Sequence, residues 1–162
     1  MSKPVKIAYL EISPRQSGKT TRLAEMASDV VDQGRTVIFV VPCRANVNFL
    51  VRIHPRLIVL EDGKQLPADV NPDDAVWFYD EFDYMKSTVV REGAYYATSP
   101  ARVRVIGESP APDDVLMQLL EVNGQRHERS YGPDYMREFY QECRLNMTPA
   151  DFRLSILAEF MA

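Results

Sequence analysis

Residues 13–21 read Ser13-Pro14-Arg15-Gln16-Ser17-Gly18-Lys19-Thr20-Thr21, and they separate two segments of different hydrophobic period. Ahead of them, Val5 to Ile12 is a short apolar run carrying Ile7, Tyr9, Leu10 and Ile12, which predicts a strand buried on both faces. Behind them, Leu23, Met26, Ala27, Val30 and Val31 recur every three or four residues. That spacing predicts a helix from about Lys19 to Gln33, stopped by Gly34. A polar, glycine-bearing loop between a strand and a helix points successive backbone N–H groups at the positive end of the helix, where an anion is favoured. In that geometry the backbone from Pro14 to Thr21 wraps phosphates, Lys19 reaches β and γ oxygens, and Thr20 ligates Mg²⁺. The spacing departs from GxxxxGK(S/T), because Ser13 stands where the first glycine would be. The loop must turn without it, with Pro14 as the turn former. A helix start that merely happens to read SGKT is the plainer alternative, and the preceding strand weighs against it.

Working outward, Thr36 to Val41 is nearly all β-branched or aromatic, as a central parallel strand covered on both faces would be. Asn46 to Ile53 patterns a short helix, Leu57 to Leu60 a strand, and Ala75 to Tyr79 another that runs straight into Asp80-Glu81. Phe82 to Arg91 predicts a helix, Ala94 to Ala97 and Val103 to Ile106 two further strands, and Val115, Leu116, Leu119 and Leu120 a helix. Beyond the prolines at 110 and 112 the chain reads as helical. One helix opens at Pro133 with Tyr135, Met136, Phe139, Tyr140 and Cys143 on one face, and another is capped by Thr148 with Pro149 in its first turn and runs on through Phe160. Strands alternating with helices predict an α/β fold with a mostly parallel central sheet flanked by helices, and a helical C-terminal tail over about 112–162. The 162 residues are expected to form a single domain.

The acids at positions 80 and 81 complete the chemistry of the loop. A carboxylate at a strand tip can hold the Mg²⁺ shell, assigned to Asp80, and its neighbour Glu81 can polarise an attacking water. Alone, the pair would equally suit a solvated helix start. Asp83 reads as a surface or helix-dipole residue, and Glu11, at the end of the first strand, has no assigned task.

Composition sets the outer bounds. Nineteen basic residues against twenty-three acidic give a net charge of −4, which excludes a uniformly basic nucleic-acid coat. A chain of this length buries about 70% of its surface and needs no staple. Cys43 and Cys143 form no CxxC pair, which argues against a zinc ribbon or disulfide framework, and both are expected to be buried spectators in a reducing, cytoplasmic setting. No stretch approaches the roughly 20 apolar residues that span a bilayer.

Pro14-Arg15-Gln16-Ser17-Gly18-Lys19-Thr20-Thr21 resembles the phosphate loop of the ATPase domain of phage terminase large subunits, the DNA-packaging motors within the helicase-like P-loop ATPases. Val41-Pro42-Cys43-Arg44-Ala45 and Tyr79-Asp80-Glu81-Phe82-Asp83 are similar to that family's following segments, the latter to its Walker B motif. Ala97-Thr98-Ser99-Pro100 falls where the family carries a coupling motif, and residues 152–160 resemble the end of its ATPase region. The resemblance implies a P-loop NTPase that uses ATP and Mg²⁺. Arg15 becomes a cis-acting arginine at the γ-phosphate, Gln16 a shaper of the loop, and Thr98 with Ser99 sensors of the γ-phosphate. Its implied partners are double-stranded DNA, tracked without sequence preference, and a homo-oligomeric ring or a separate motor or nuclease subunit. Arg102 or Arg104 would serve as a trans-acting finger, or else both are exposed strand-edge charges. The family's nuclease domain and its N-terminal adenine-contacting glutamine motif have no counterpart in these residues, so cutting and part of hydrolysis are expected to fall to a partner.

For DNA, Arg44, Arg52, His54 and Arg56 form one basic stretch and Arg126, His127 and Arg129 another. Two other readings stand beside the motor. One is a nucleotide-binding regulatory module without turnover. The other is a nucleoside or nucleotide kinase, although the zinc cysteines of the thymidine-kinase-like enzymes are missing.

Overall fold

The computed structural model describes residues 3–162. Five strands form one all-parallel sheet in the order β1-β5-β4-β2-β3, comprising β1 (Tyr9–Ile12), β2 (Val37–Val41), β3 (Ile58–Glu61), β4 (Val76–Asp80) and β5 (Tyr95–Thr98). Helix α1 (Lys19–Asp32) follows β1 and α2 (Arg44–Ile53) follows β2. The later helices are α3 (Val115–Val122), α4 (Arg137–Asn146) and α5 (Pro149–Ser155), so the C-terminal third carries helices as predicted but is interrupted by non-helical chain at 123–133 and after Ser155.

The pleat sorts β2 and β4 onto two cores. Val37, Phe39, Val41, Val76 and Phe78 point to one face, where Leu23, Ala24, Ala27 and Val30 of α1 and Val47 and Leu50 of α2 cover them. Ile38, Val40, Trp77 and Tyr79 point to the other, under Leu116, Leu119 and Leu120 of α3. Registered aromatic neighbours stack across the strands on both faces: Phe39 on Phe78 and Phe78 on Tyr95 on one, Tyr79 on Tyr96 on the other. Each such pair adds about 0.5–1.5 kcal/mol beyond its buried area.

Four expectations are corrected. The first strand begins only at Tyr9, and Val5 is exposed. Residues 82–91 are not an α-helix: one 3₁₀ turn, Phe82–Tyr84, is followed by irregular chain. Asp62 captures the amides of Lys86 and Ser87, and Tyr96 Oη donates to the Val89 carbonyl and accepts from the Arg91 amide, so the groups a helix would pair are satisfied otherwise. Residues 103–106 add no strand to the sheet. They pair instead with the chain end, Arg104 N–H to the Phe160 carbonyl at 2.6 Å and Ile106 N–H to the Ala162 carbonyl at 2.8 Å. Finally, α5 stops at Ser155 and Ala158 turns left-handed at φ 55°, so Phe160 reaches the core from an extended segment.

Candidate functional site

Sheet order separates β1 from β4 by β5, so the loop after β1, the acids after β4 and the tip of β5 meet at the carboxyl ends of three adjacent parallel strands. Ligand crevices of open α/β sheets form at this edge. Loop 13–18 turns without a first glycine because Ser13, fully buried, is spent on contacts: its Oγ donates to Glu11 Oε2 at 2.7 Å and accepts the Ser130 amide at 2.8 Å. Gln16 takes a left-handed φ of 59°, Ser17 Oγ closes on the Pro14 carbonyl at 2.7 Å, and Gly18 at φ 84° delivers the chain into α1. A side chain at Gly18 would be strained by that φ and would meet Arg22 Nη1 at 3.0 Å.

Arg22 braces the loop. Its guanidinium donates through Nη1 to the Ser17 carbonyl at 2.7 Å and pairs with fully buried Glu11 at 2.5 Å. Burial alone would raise the Glu11 carboxyl; hydrogen bonds from Arg22, Ser13 and Tyr9 outweigh it and hold the group below the usual carboxylate range. Sequence reasoning left Glu11 without a task. Its signal was an acid inside an apolar strand, which is rare unless paired.

Lys19 and Asp80 are buried, and Thr20 and Glu81 are partly so. Thr20 Oγ1 donates to Asp80 Oδ2 at 2.7 Å, while Lys19 Nζ pairs with Glu81 Oε1 at 2.6 Å and lies 3.4 Å from the Pro14 carbonyl. Among the described residues Asp80 Oδ1 is buried with no hydrogen-bond partner, and burial raises the Asp80 pKa to about 6. A hydroxyl beside a carboxylate that retains an unspent, inward oxygen is a hard-oxygen donor set that fits Mg²⁺. Glu81 adopts a left-handed φ of 53°, which only a few per cent of non-glycine residues do. Its Oε2 accepts from the Ser99 amide and hydroxyl, both at 3.2 Å. Buried Thr98 Oγ1 accepts the Asp83 amide at 3.1 Å, so both β5-tip residues touch the acid loop rather than the cleft.

The cleft between these groups measures about 440 Å³ and is lined by Arg15, Lys19, Thr20, Cys43, Glu81 and Tyr84, among others. Arg15 lies against Tyr84, with Nη2 at 3.3 Å from the phenol oxygen. Pro14 is buried, whereas Gln16, Gly18 and Thr21 are exposed on the loop and the first turn of α1. Cys43 lies at this opening and Cys143 is only partly buried, so neither thiol is the buried spectator expected.

Two further expectations fail. Asp83 is no surface residue, and Arg104 is neither a free finger nor an exposed edge charge. Arg104 is buried and bonded to Asp83 at 2.8 and 3.0 Å and to Asp114 at 3.0 Å through each of two nitrogens. Arg102 is exposed and reaches Asp114 at 3.2 Å. Of the basic stretches, Arg56 pairs with Asp32, His54 meets Ser28, and Arg129 donates to the Leu157 carbonyl, leaving Arg44, Arg52 and Arg126 as exposed cations. Among the described residues no helix is long and apolar enough to cross a membrane.

No protein-family model matches this chain, and no curated protein matches it. Among solved structures the chain is similar to an arginine-to-alanine variant of the large terminase ATPase domain of a Thermus phage, with 16% sequence identity and a TM-score of 0.47 over 98% of this chain and 90% of that one.

Proposed function

We propose that the cleft binds ATP with Mg²⁺ and hydrolyses it, and that the chain couples hydrolysis to movement along double-stranded DNA as a terminase-like motor subunit. The observation that carries the hydrolase reading is the convergence of Lys19 and Thr20 on Glu81 and Asp80, sixty residues away, around a buried carboxylate oxygen with no partner. In this reading Thr20 and Asp80 would hold the metal, which would supply positive charge to the phosphates when bound. The amides from Ser17 to Thr21 surround the phosphates and Gln16 shapes the loop. The incoming γ-phosphate competes for Lys19 and draws it off Glu81. Glu81, still held by Ser99, is then free to take a proton from the attacking water. Arg15, on the same side of the cleft, stabilises charge that grows on the γ-phosphate. The loss of that phosphate reaches Thr98 and Ser99 from the acid loop, through their bonds to Asp83 and Glu81.

The DNA track and assembly as a ring, or with a separate nuclease subunit, rest on the sequence resemblance, with Arg102 as the exposed candidate for action in trans. Phosphate release from Mg-ATP at low salt, with and without double-stranded DNA, tests both parts. Glu81→Gln is expected to lower turnover by about 10²-fold or more while ATP binding persists, and Lys19→Ala to lose both. Normal turnover in Glu81→Gln would sink the mechanism. Turnover indifferent to DNA would sink the motor but leave the hydrolase. Tight binding without turnover would instead make the chain a regulatory module.

A further inference from the structure

We propose that Tyr131, backed by Arg129, is the platform on which the base of the bound nucleotide stacks, an inference that rests on the cleft being a triphosphate site. The direction of the phosphate chain follows from the sheet. Lys19, Thr20, Asp80 and Glu81 mark the metal and γ-phosphate end, on the β4 side of the loop. The chain of phosphates therefore runs across Gly18 and exposed Thr21 away from β4, and the nucleoside leaves toward β1, the edge strand.

That edge is occupied by a strap from the C-terminal third. Glu128 N–H bonds the Leu10 carbonyl at 2.8 Å and its carbonyl accepts from Ile12 N–H at 2.9 Å, a parallel bridge alongside Glu11. The strap continues past the end of β1, where Ser130 N–H bonds Ser13 Oγ at 2.8 Å. Tyr131 is thus delivered, one residue later, to the entrance of the loop.

Its ring is held but not covered. Arg129 lies over the ring at 5.1 Å from its centroid and is itself tied to the Leu157 carbonyl. Gly132 packs against the Tyr140 phenol, so that a Cβ there would require the Tyr140 ring to move. Between these neighbours Tyr131 remains 63% exposed. Packing does not account for a large aromatic displayed on a segment anchored on both sides. A flat ring with a guanidinium behind it is suited to stacking a base, which tolerates any base because each has a π-face. Ser13, bonded to the strap at Ser130, ties the strap to the start of the loop.

The test compares Mg-ATP with Mg-tripolyphosphate by calorimetric titration of the full chain, as wild type, Tyr131→Ala and Tyr131→Phe. The expected result is that Tyr131→Ala weakens ATP binding by about fivefold to a hundredfold and leaves tripolyphosphate unchanged, while Tyr131→Phe binds both as wild type does. Equal weakening of both ligands would assign Tyr131 to holding the loop and overturn the platform. Unchanged ATP affinity in Tyr131→Ala would overturn it as well, with the triphosphate site intact. If the wild type bound neither ligand, the triphosphate reading itself would fall, and the platform with it.

Discussion

Asp80 is 1% exposed at the end of β4, with Thr20 bonded to one carboxylate oxygen and nothing bonded to the other. Burial raises its pKa to about 6, whereas in the unfolded chain it titrates near 3.9. The folded state therefore keeps a proton that the unfolded chain has already released. This stabilisation is complete below pH about 4 and is lost as pH rises through 6, after which the ionised group opposes folding of the metal-free protein. A rise of that size corresponds to about 3 kcal/mol. Melting in EDTA across pH 4–8 should show Asp80→Asn gaining on wild type as pH rises through 6, and Mg²⁺ should close the gap by stabilising wild type alone. A difference that does not change with pH would sink the account. At this scale the motif residues were legible because phosphate and metal chemistry fixes both residue type and spacing. The Lys19–Glu81 pair and the Glu11–Arg22 brace were not, since each depends on which elements the sheet order sets side by side.

Elements carry the consequences of Arg104. It joins the 3₁₀ turn after the acids, through Asp83, to the first turn of α3, through Asp114, which also caps that helix by accepting the Met117 amide. The side chains of all three are nearly inaccessible, so removing the cation leaves buried Asp83 with no ion partner and Asp114 with only the exposed Arg102, a loss of about 3–5 kcal/mol. Arg102→Ala removes only an exposed arm of the network and should change stability by about 1 kcal/mol or less. Urea unfolding of Arg104→Met beside Arg102→Ala measures the contrast, and equal effects would show that the network bears no special load. The same region explains where element reading succeeded and failed. Runs such as Val37–Val41 leave one solution, a central strand, because all five side chains must be buried. Residues 82–91 and 103–106 carry helix-like and strand-like patterns but are claimed by partners outside the runs themselves: Asp62, Tyr96 and the chain end. The aromatic face of α4 also misled, for no residue of that helix is buried, and Tyr135 just before it is 84% exposed.

For the whole molecule, two long returns of the chain complete what the five strands begin. The 128–130 strap bonds to the outer edge of β1, and the last residues pair with 104–106 while Phe160 enters the core shared by Leu116, Leu119 and Tyr96. Sequence pattern correctly marked Phe160 as apolar and inward but assigned it to a helix, because spacing of three or four residues does not distinguish a helix from an extended segment that buries an occasional side chain. Phe160 is only 7% exposed, so Phe160→Ala should cost about 3–5 kcal/mol, the usual loss for a buried phenylalanine. The loss should also be local in its first effect. Arg104 and Ile106 donate their amides to the Phe160 and Ala162 carbonyls, and these bonds open first if the segment is released. Hydrogen exchange in Phe160→Ala should therefore accelerate at Arg104 and Ile106 before it does so in β2 and β4. Uniform acceleration throughout the sheet would mean that the chain end and the central strands open as one unit, and the route from the acid loop through Arg104 to the C-terminal segment would then be no separate element of the fold.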